Sequence, residues 1–282
     1  MQPIYDFGGS GPLLHLAIAN GFPPPVYLPF VRPLLGRYHV MSLPPRALWP
    51  DEQPPAKRLA WNKTLAVDLM NGMREHDLRE VIAVGHSFGG IASLLAVLAE
   101  PERFKALILL DPTILPQRLL WTMRLIRAVG SDYGNTLAQR TDKRRDTFES
   151  TQAAYENLKG KRLFADWDDE ALRQYAESMR PVEGGVKLAW PREWEAFYFR
   201  TLYTGTWGEL PKLRRQMQSG LPVLIIRGGT SDTLLAESAA RIRALLPGAA
   251  YAEIAGHGHL FPQSAPAETA QIIQNWLTQH GL

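Results

Sequence analysis

Val81-Ile82-Ala83-Val84-Gly85-His86-Ser87-Phe88-Gly89-Gly90 is the stretch on which the reading of the chain turns. The apolar residues before Gly85, spanning Glu80 to Val84, read as a buried strand, and Ile91 to Glu100 reads as a helix ending before Pro101. Ser87 therefore stands at a sharp turn from strand to helix. A serine in that place is held in a strained backbone conformation, and its hydroxyl projects from the edge of a sheet. Side chains two residues before and after it would collide with the adjoining strand and helix, and glycine at 85 and 89 removes the collision. The helix that follows brings N–H groups and a positive dipole end to the same place. A Gly-x-Ser-x-Gly run can also be a simple turn; the strand before it and the helix after it are what give it chemical meaning. The spacing is not Gly-x-Gly-x-x-Gly and carries no Walker-type lysine, so a phosphate-binding turn fits poorly.

Outward from this turn, short apolar runs alternate with helical patterns. Leu13 to Ile18 and His39 to Leu43 read as strands, with a loop at Ala19 to Pro25 and a helix from Tyr27 to Leu35 between them. Prolines at 44, 45, 50, 54 and 55 argue against regular structure in that stretch. A helix follows from about Trp61 to His76, with Leu65, Leu69 and Met73 on one face. Ala106 to Leu110 is the next strand. From Pro112 to Ser219 no buried strand stands out, and the residues read as helices rich in aromatic and basic side chains. The earlier rhythm then returns, with strands at Pro222 to Arg227 and Ala250 to Ile254 and helices at Leu235 to Leu246 and Pro266 to Gln279. Such alternation predicts an α/β fold, a mostly parallel sheet with helices on both faces. The expected division is a core of residues 1–111 and 220–282, with 112–219 as a helical cap inserted between two strands.

The bulk numbers agree with one α/β domain carrying an insertion. The chain has 282 residues, 45% hydrophobic and 21% charged. A net charge of +3 is too weak to predict nucleic-acid binding without clustering. There is no cysteine, which excludes disulfides and thiolate chemistry and fits a reducing compartment. Residues 1–6 lack a basic stretch followed by an apolar run, and no run approaches the length of a membrane span, so a cytoplasmic location is expected.

A serine nucleophile needs a base, and Ala255-Gly256-His257-Gly258-His259-Leu260-Phe261-Pro262 offers two histidines after the last strand. A loop at a strand's carboxyl end lies on the sheet edge expected for Ser87. His-x-His could also be half a metal site, but His15, His39, His76, His86 and His280 show no ligand spacing with it, and no metal is expected. The base in turn needs a carboxylate. Asp232, after the strand ending at Arg227, and Asp111, after the strand ending at Leu110, are both placed for it. Either could be structural: Asp232 as a cap for the helix near Leu235, Asp111 as a turn residue before Pro112.

In the order and setting of these residues the chain resembles the α/β-hydrolase superfamily, with the insertion where that family carries its cap. The resemblance implies His259 as the base, through Gly258-His259-Leu260-Phe261, and Asp232 as the acid, with Asp111 at a variant acid position. It implies an oxyanion site made by the amides of Phe88 and Phe22, the latter in Asn20-Gly21-Phe22-Pro23. Asn20 departs from the histidine that usually braces this loop. The implied activity is hydrolysis of a carboxylic ester, or of a lactone or thioester, without a cofactor. Serine at 87 argues against epoxide hydrolases and dehalogenases, which place aspartate there. Carbon–carbon bond hydrolysis or a lyase reaction with the same residues, and a non-catalytic binding protein on this fold, stay open. Trp121, Tyr133, Phe164, Trp167, Trp190, Trp194 and Tyr198 in the insertion would line an apolar substrate pocket or fill the cap's own core. The run Arg140, Lys143, Arg144, Arg145 is expected to be a solvated face.

Overall fold

The most deeply buried strands form where β-branched and apolar residues run without interruption. β1 (Tyr5–Gly8), β2 (Leu13–Ala17), β3 (His39–Ser42), β4 (Val81–His86) and β5 (Phe104–Leu110) precede the insertion. β6 (Thr147–Phe148), β7 (Arg180–Val182) and β8 (Gly185–Lys187) lie within it, and β9 (Val223–Gly228) and β10 (Ala250–Ile254) follow. The seven-stranded sheet has the order β1-β3-β2-β4-β5-β9-β10. β1 is antiparallel to β3, and every other neighbour pair in it is parallel. β4 and β9 are buried at every position, as strands covered by helices on both faces must be. This is an α/β-hydrolase fold, seen in a computed structural model that describes residues 1–55, 61–129 and 135–282.

Helices α1 (Leu28–Val31), α2 (Trp61–Glu75) and α3 (Phe88–Ala99) belong to the first half of the core. The inserted residues form α4 (Gln117–Ala128), α5 (Thr136–Asp142), α6 (Thr151–Lys159), α7 (Asp169–Glu177), α8 (Arg192–Arg200) and α9 (Thr206–Gln218). α10 (Ala236–Leu245), α11 (Phe261–Ser264) and α12 (Pro266–Gln279) complete the chain. Leu65, Leu69 and Met73 of α2 are buried together, as their spacing predicts.

Three expectations need correction. The single helix over Tyr27 to Leu35 is instead a 3-10 turn at Pro24–Tyr27, the one-turn α1, and a second 3-10 turn at Arg32–Leu34. Prolines at 24, 25, 29 and 33 remove the N–H groups a continuous helix would need. Between prolines 45 and 50 a short 3-10 turn, Arg46–Leu48, does form. The insertion is not wholly helical: β6, β8 and β7 make a small antiparallel sheet in that order. These strands are two or three residues long and β7 is wholly exposed, so no apolar run announces them.

Candidate active site

Ser87 is the first point fixed by the fold. It sits between β4 and α3 with φ 59° and ψ −120°, a conformation rare for a residue with a side chain. A Cβ on Gly89 would stand 2.3 Å from the Ala17 carbonyl oxygen, and one on Gly85 would stand 2.6 Å from that of Gly89. Both glycines are thus required by close backbone approach. The Ser87 N–H donates to the Leu110 carbonyl at 2.9 Å, tying the turn to the end of the neighbouring strand β5.

The next residue after β5 is Asp111, also at positive φ (42°) and fully buried. Its N–H donates to the Ile226 carbonyl on β9 at 2.8 Å. The His259 loop arrives from β10. His259 Nε2 lies 2.8 Å from Ser87 Oγ, and His259 Nδ1 lies 2.7 Å from Asp111 Oδ2. A carboxylate only accepts, so Nδ1 carries the proton, and Nε2 is left to accept from the Ser87 hydroxyl. The Thr113 hydroxyl, 3.3 Å from Ser87 Oγ, is placed to donate to it.

The sequence expectation for the carboxylate is corrected here. Asp232 is exposed, its only side-chain hydrogen bond among those described comes from the Thr233 hydroxyl, and it caps no helix. Asp111 takes the place beside His259. The β9 loop does not supply a carboxylate to the histidine; it supplies donors to Asp111. Gly228 N–H donates to Oδ1 at 3.0 Å, while Ser231 Oγ and the Leu234 N–H donate to Oδ2 at 2.5 and 3.4 Å. The competing histidine is held elsewhere, with His257 Nδ1 2.8 Å from Ser264 Oγ.

Behind these residues runs a buried polar chain. His86 Nε2 faces the His259 carbonyl at 3.0 Å and must donate to it. Nδ1 then accepts from the Tyr27 hydroxyl at 2.7 Å, and the phenol oxygen accepts the Ala19 N–H at 2.9 Å. One ring thus joins the loop after β2 to the loop after β10. Burial first, and the neighbouring His259 second, push the His86 pKa down to about 3, which keeps it neutral.

Phe22 lies in the loop after β2, and Phe88 follows Ser87 in the chain. Phe88 opens α3, where the first N–H groups have no acceptor within the helix itself. The Phe22 N–H closes a turn onto the Ala19 carbonyl at 3.4 Å, with Gly21 at φ 88° supplying the left-handed conformation that turn needs. Aromatics of the insertion pack on both: Trp167 and Tyr175 at 5.4 and 5.7 Å from the Phe22 ring, Trp190 and Tyr198 at 6.2 and 5.2 Å from that of Phe88. Trp190 and Trp194 are buried, whereas Trp121 is exposed; Tyr133 lies outside the described residues.

The basic run holds the residue that sequence reasoning misjudged most. Arg140, Lys143 and Arg145 are exposed, but Arg144 is largely buried, 2.5 Å from Glu195 and 2.8 Å from the Tyr175 hydroxyl. Nothing in its local sequence separates it from its neighbours. Thr113, Tyr27 and His86 were also missed, although His86 stands inside the quoted motif and adjoins the serine. Among the described residues no group of three His, Asp or Glu side chains could hold a metal ion. No described helix is long and apolar enough to cross a membrane.

Comparison with known proteins adds the family. A model described as "Alpha/beta hydrolase family" matches residues 12–272. The chain belongs to the alpha/beta hydrolase family. It is 25% identical to a 2-(acetamidomethylene)succinate hydrolase of Mesorhizobium japonicum over 273 residues, covering 95% of this chain and 89% of that protein. It is similar to the crystal structure of an E-2-(acetamidomethylene)succinate hydrolase, with a TM-score of 0.74, 24% identity, and 98% and 94% of the two chains covered. A third similarity is to N-formylmaleamic acid deformylase from Pseudomonas putida S16, with a TM-score of 0.65, 17% identity, and coverage of 96% and 94%. As a member of this family the chain is a hydrolase.

Proposed function

We propose that this alpha/beta hydrolase cleaves a carboxylic acid derivative through an acyl-enzyme formed on Ser87. The observation that carries the reading is the unbroken hydrogen-bond chain from Ser87 Oγ through His259 to Asp111, at 2.8 and 2.7 Å. In the first half-reaction Ser87 Oγ attacks the carbonyl carbon while His259 Nε2 takes its proton. Asp111 holds the imidazole in the tautomer this requires and balances the imidazolium that forms. The tetrahedral oxyanion takes hydrogen bonds from the amides of Phe88 and Phe22, the Phe22 N–H leaving its long turn contact to do so. His259 returns the proton to the leaving group, and water then attacks the acyl-enzyme by the reverse path. An ester is the bond such a site opens most readily, because an alkoxide or phenoxide leaves more easily than an amine.

A second reading is supported by the relative that aligns with 95% of this chain, whose name denotes an acetamido group on a dicarboxylate. On that reading the scissile bond is an amide, and proton delivery by His259 to nitrogen becomes the demanding step. One panel separates the two: nitrophenyl esters of graded acyl length beside 2-(acetamidomethylene)succinate, each with wild type and Ser87→Ala. The ester reading expects the larger kcat/KM on an ester, and a larger value on the acetamido substrate replaces it. Ser87→Ala should lose on the order of 10⁴ to 10⁶ in rate on either substrate. Undiminished turnover in that variant overturns the whole assignment.

A further inference from the structure

The loop after β2 lacks the histidine that would brace it from within, and its support comes from the inserted segment instead. Tyr175 on α7 donates its hydroxyl to the Gly21 carbonyl at 3.2 Å. Asn20 Nδ2 donates to the main-chain carbonyl of Glu195 on α8 at 3.0 Å. The Glu195 carboxylate lies so close to the loop that a Cβ on Gly21 would stand 3.0 Å from its Cδ. Arg144 binds this carboxylate at 2.5 Å and the Tyr175 hydroxyl at 2.8 Å, so one guanidinium holds both elements that touch the loop. Burial raises the Glu195 carboxyl above its usual range, and Arg144 works against that rise.

We propose that Tyr175, Glu195 and Arg144 are positioning residues: a buried clamp from the inserted segment that sets the Asn20-Gly21-Phe22 peptide for its part in the reaction. The inference rests on the acyl-transfer reading above, in which the Phe22 amide serves the oxyanion. Gly21 and Phe22 share a peptide bond, so a hydrogen bond at the Gly21 carbonyl fixes the plane in which the Phe22 N–H lies. A donor that must reach a developing charge loses effect with small misplacements. The structural purpose of the ion pair is then specificity of geometry. A buried pair of this kind adds little net stability over apolar packing.

The test compares Tyr175→Phe with Tyr155→Phe. Tyr155 is another tyrosine of the insertion with a buried ring, and its hydroxyl binds Asp169 and not the loop. Tyr175→Phe should lower kcat on a nitrophenyl ester by about 10-fold to 100-fold with KM nearly unchanged, since an oxyanion contact is made in the transition state. Tyr155→Phe should leave both constants unchanged. Asn20→Ala, at a partly buried position, gives a second variant that removes a loop contact without emptying the core. Hydrogen–deuterium exchange of the peptide covering residues 19–22 supplies a readout that needs no turnover. It should quicken in Tyr175→Phe and Asn20→Ala and not in Tyr155→Phe. Unchanged exchange and kcat in Tyr175→Phe, or equal losses in both tyrosine variants, overturn the clamp. Quickened exchange with an ester activity that Ser87→Ala does not abolish would instead sink the acyl-transfer reading and leave the clamp as a structural fact.

Discussion

A carboxylate that accepts four hydrogen bonds is hard to replace, and Asp111 is one. His259 Nδ1, Ser231 Oγ and the amides of Gly228 and Leu234 all donate to it in a fully buried site. Asp111→Asn presents an N–H to at least one of these donors and favours the tautomer in which Nε2 is protonated and cannot take the serine proton. We expect kcat to fall by about 10⁴-fold, as loss of a triad carboxylate does elsewhere. Asp232→Asn should change kcat by less than about 2-fold, because an exposed side chain one residue past Ser231 touches neither histidine nor serine. Steady-state kinetics of the pair on one ester decides the matter, and a larger loss from Asp232→Asn returns the acid to the position the family resemblance implied. The family resemblance, not the residue pattern, favoured Asp232: both aspartates follow strands, and only side-chain direction separates them.

At the scale of elements, the site is made by strand ends whose neighbours the sheet order fixes. β4, β5 and β9 lie side by side, and their carboxyl ends deliver Ser87, Asp111 and the donors at 228–234. β10 delivers His259 only because β9 ends without a side chain. A Cβ on Gly228 would stand 2.2 Å from the Gly258 carbonyl oxygen, so the histidine loop rests on bare backbone. Gly228→Ala should push that loop away from Ser87 and lower kcat by about 10²-fold, the scale of loss from a displacement near 1 Å. The melting transition should stay cooperative, and a structure of the variant should show a lengthened Ser87–His259 distance. Wild-type kinetics in Gly228→Ala would mean that the close approach has no functional weight. The strand-to-helix turn at Ser87 was legible in the sequence because glycine spacing and an apolar run report backbone geometry directly. The small sheet of the insertion was not, since two-residue and three-residue strands carry no periodicity.

For the whole molecule, two buried histidines set a dependence of stability on pH. Burial pushes His15 and His86 down to about 3, from an ordinary value near 6.5. Between these values the unfolded chain binds protons that the folded chain refuses, so stability rises with pH across the window and falls as pH drops below about 6.5. Urea midpoints measured from pH 8 to pH 4 should decline below about 6.5. His15→Asn should take up about one proton fewer on unfolding near pH 5, and an unchanged slope in that variant would remove His15 from the account. The sequence alone determined the α/β fold, the placement of an insertion between two strands, and the setting of Ser87, because these depend on local rules of burial, turn geometry and helix starts. It also brought His257 and His259 to a loop at the right edge of the sheet. Only the tertiary structure decided that Asp111 and not Asp232 meets the histidine, and that Arg144 leaves a charged surface run to bind Glu195 and Tyr175 over Gly21. Those outcomes depend on the direction of single side chains where distant segments converge, and no spacing along one chain encodes that direction.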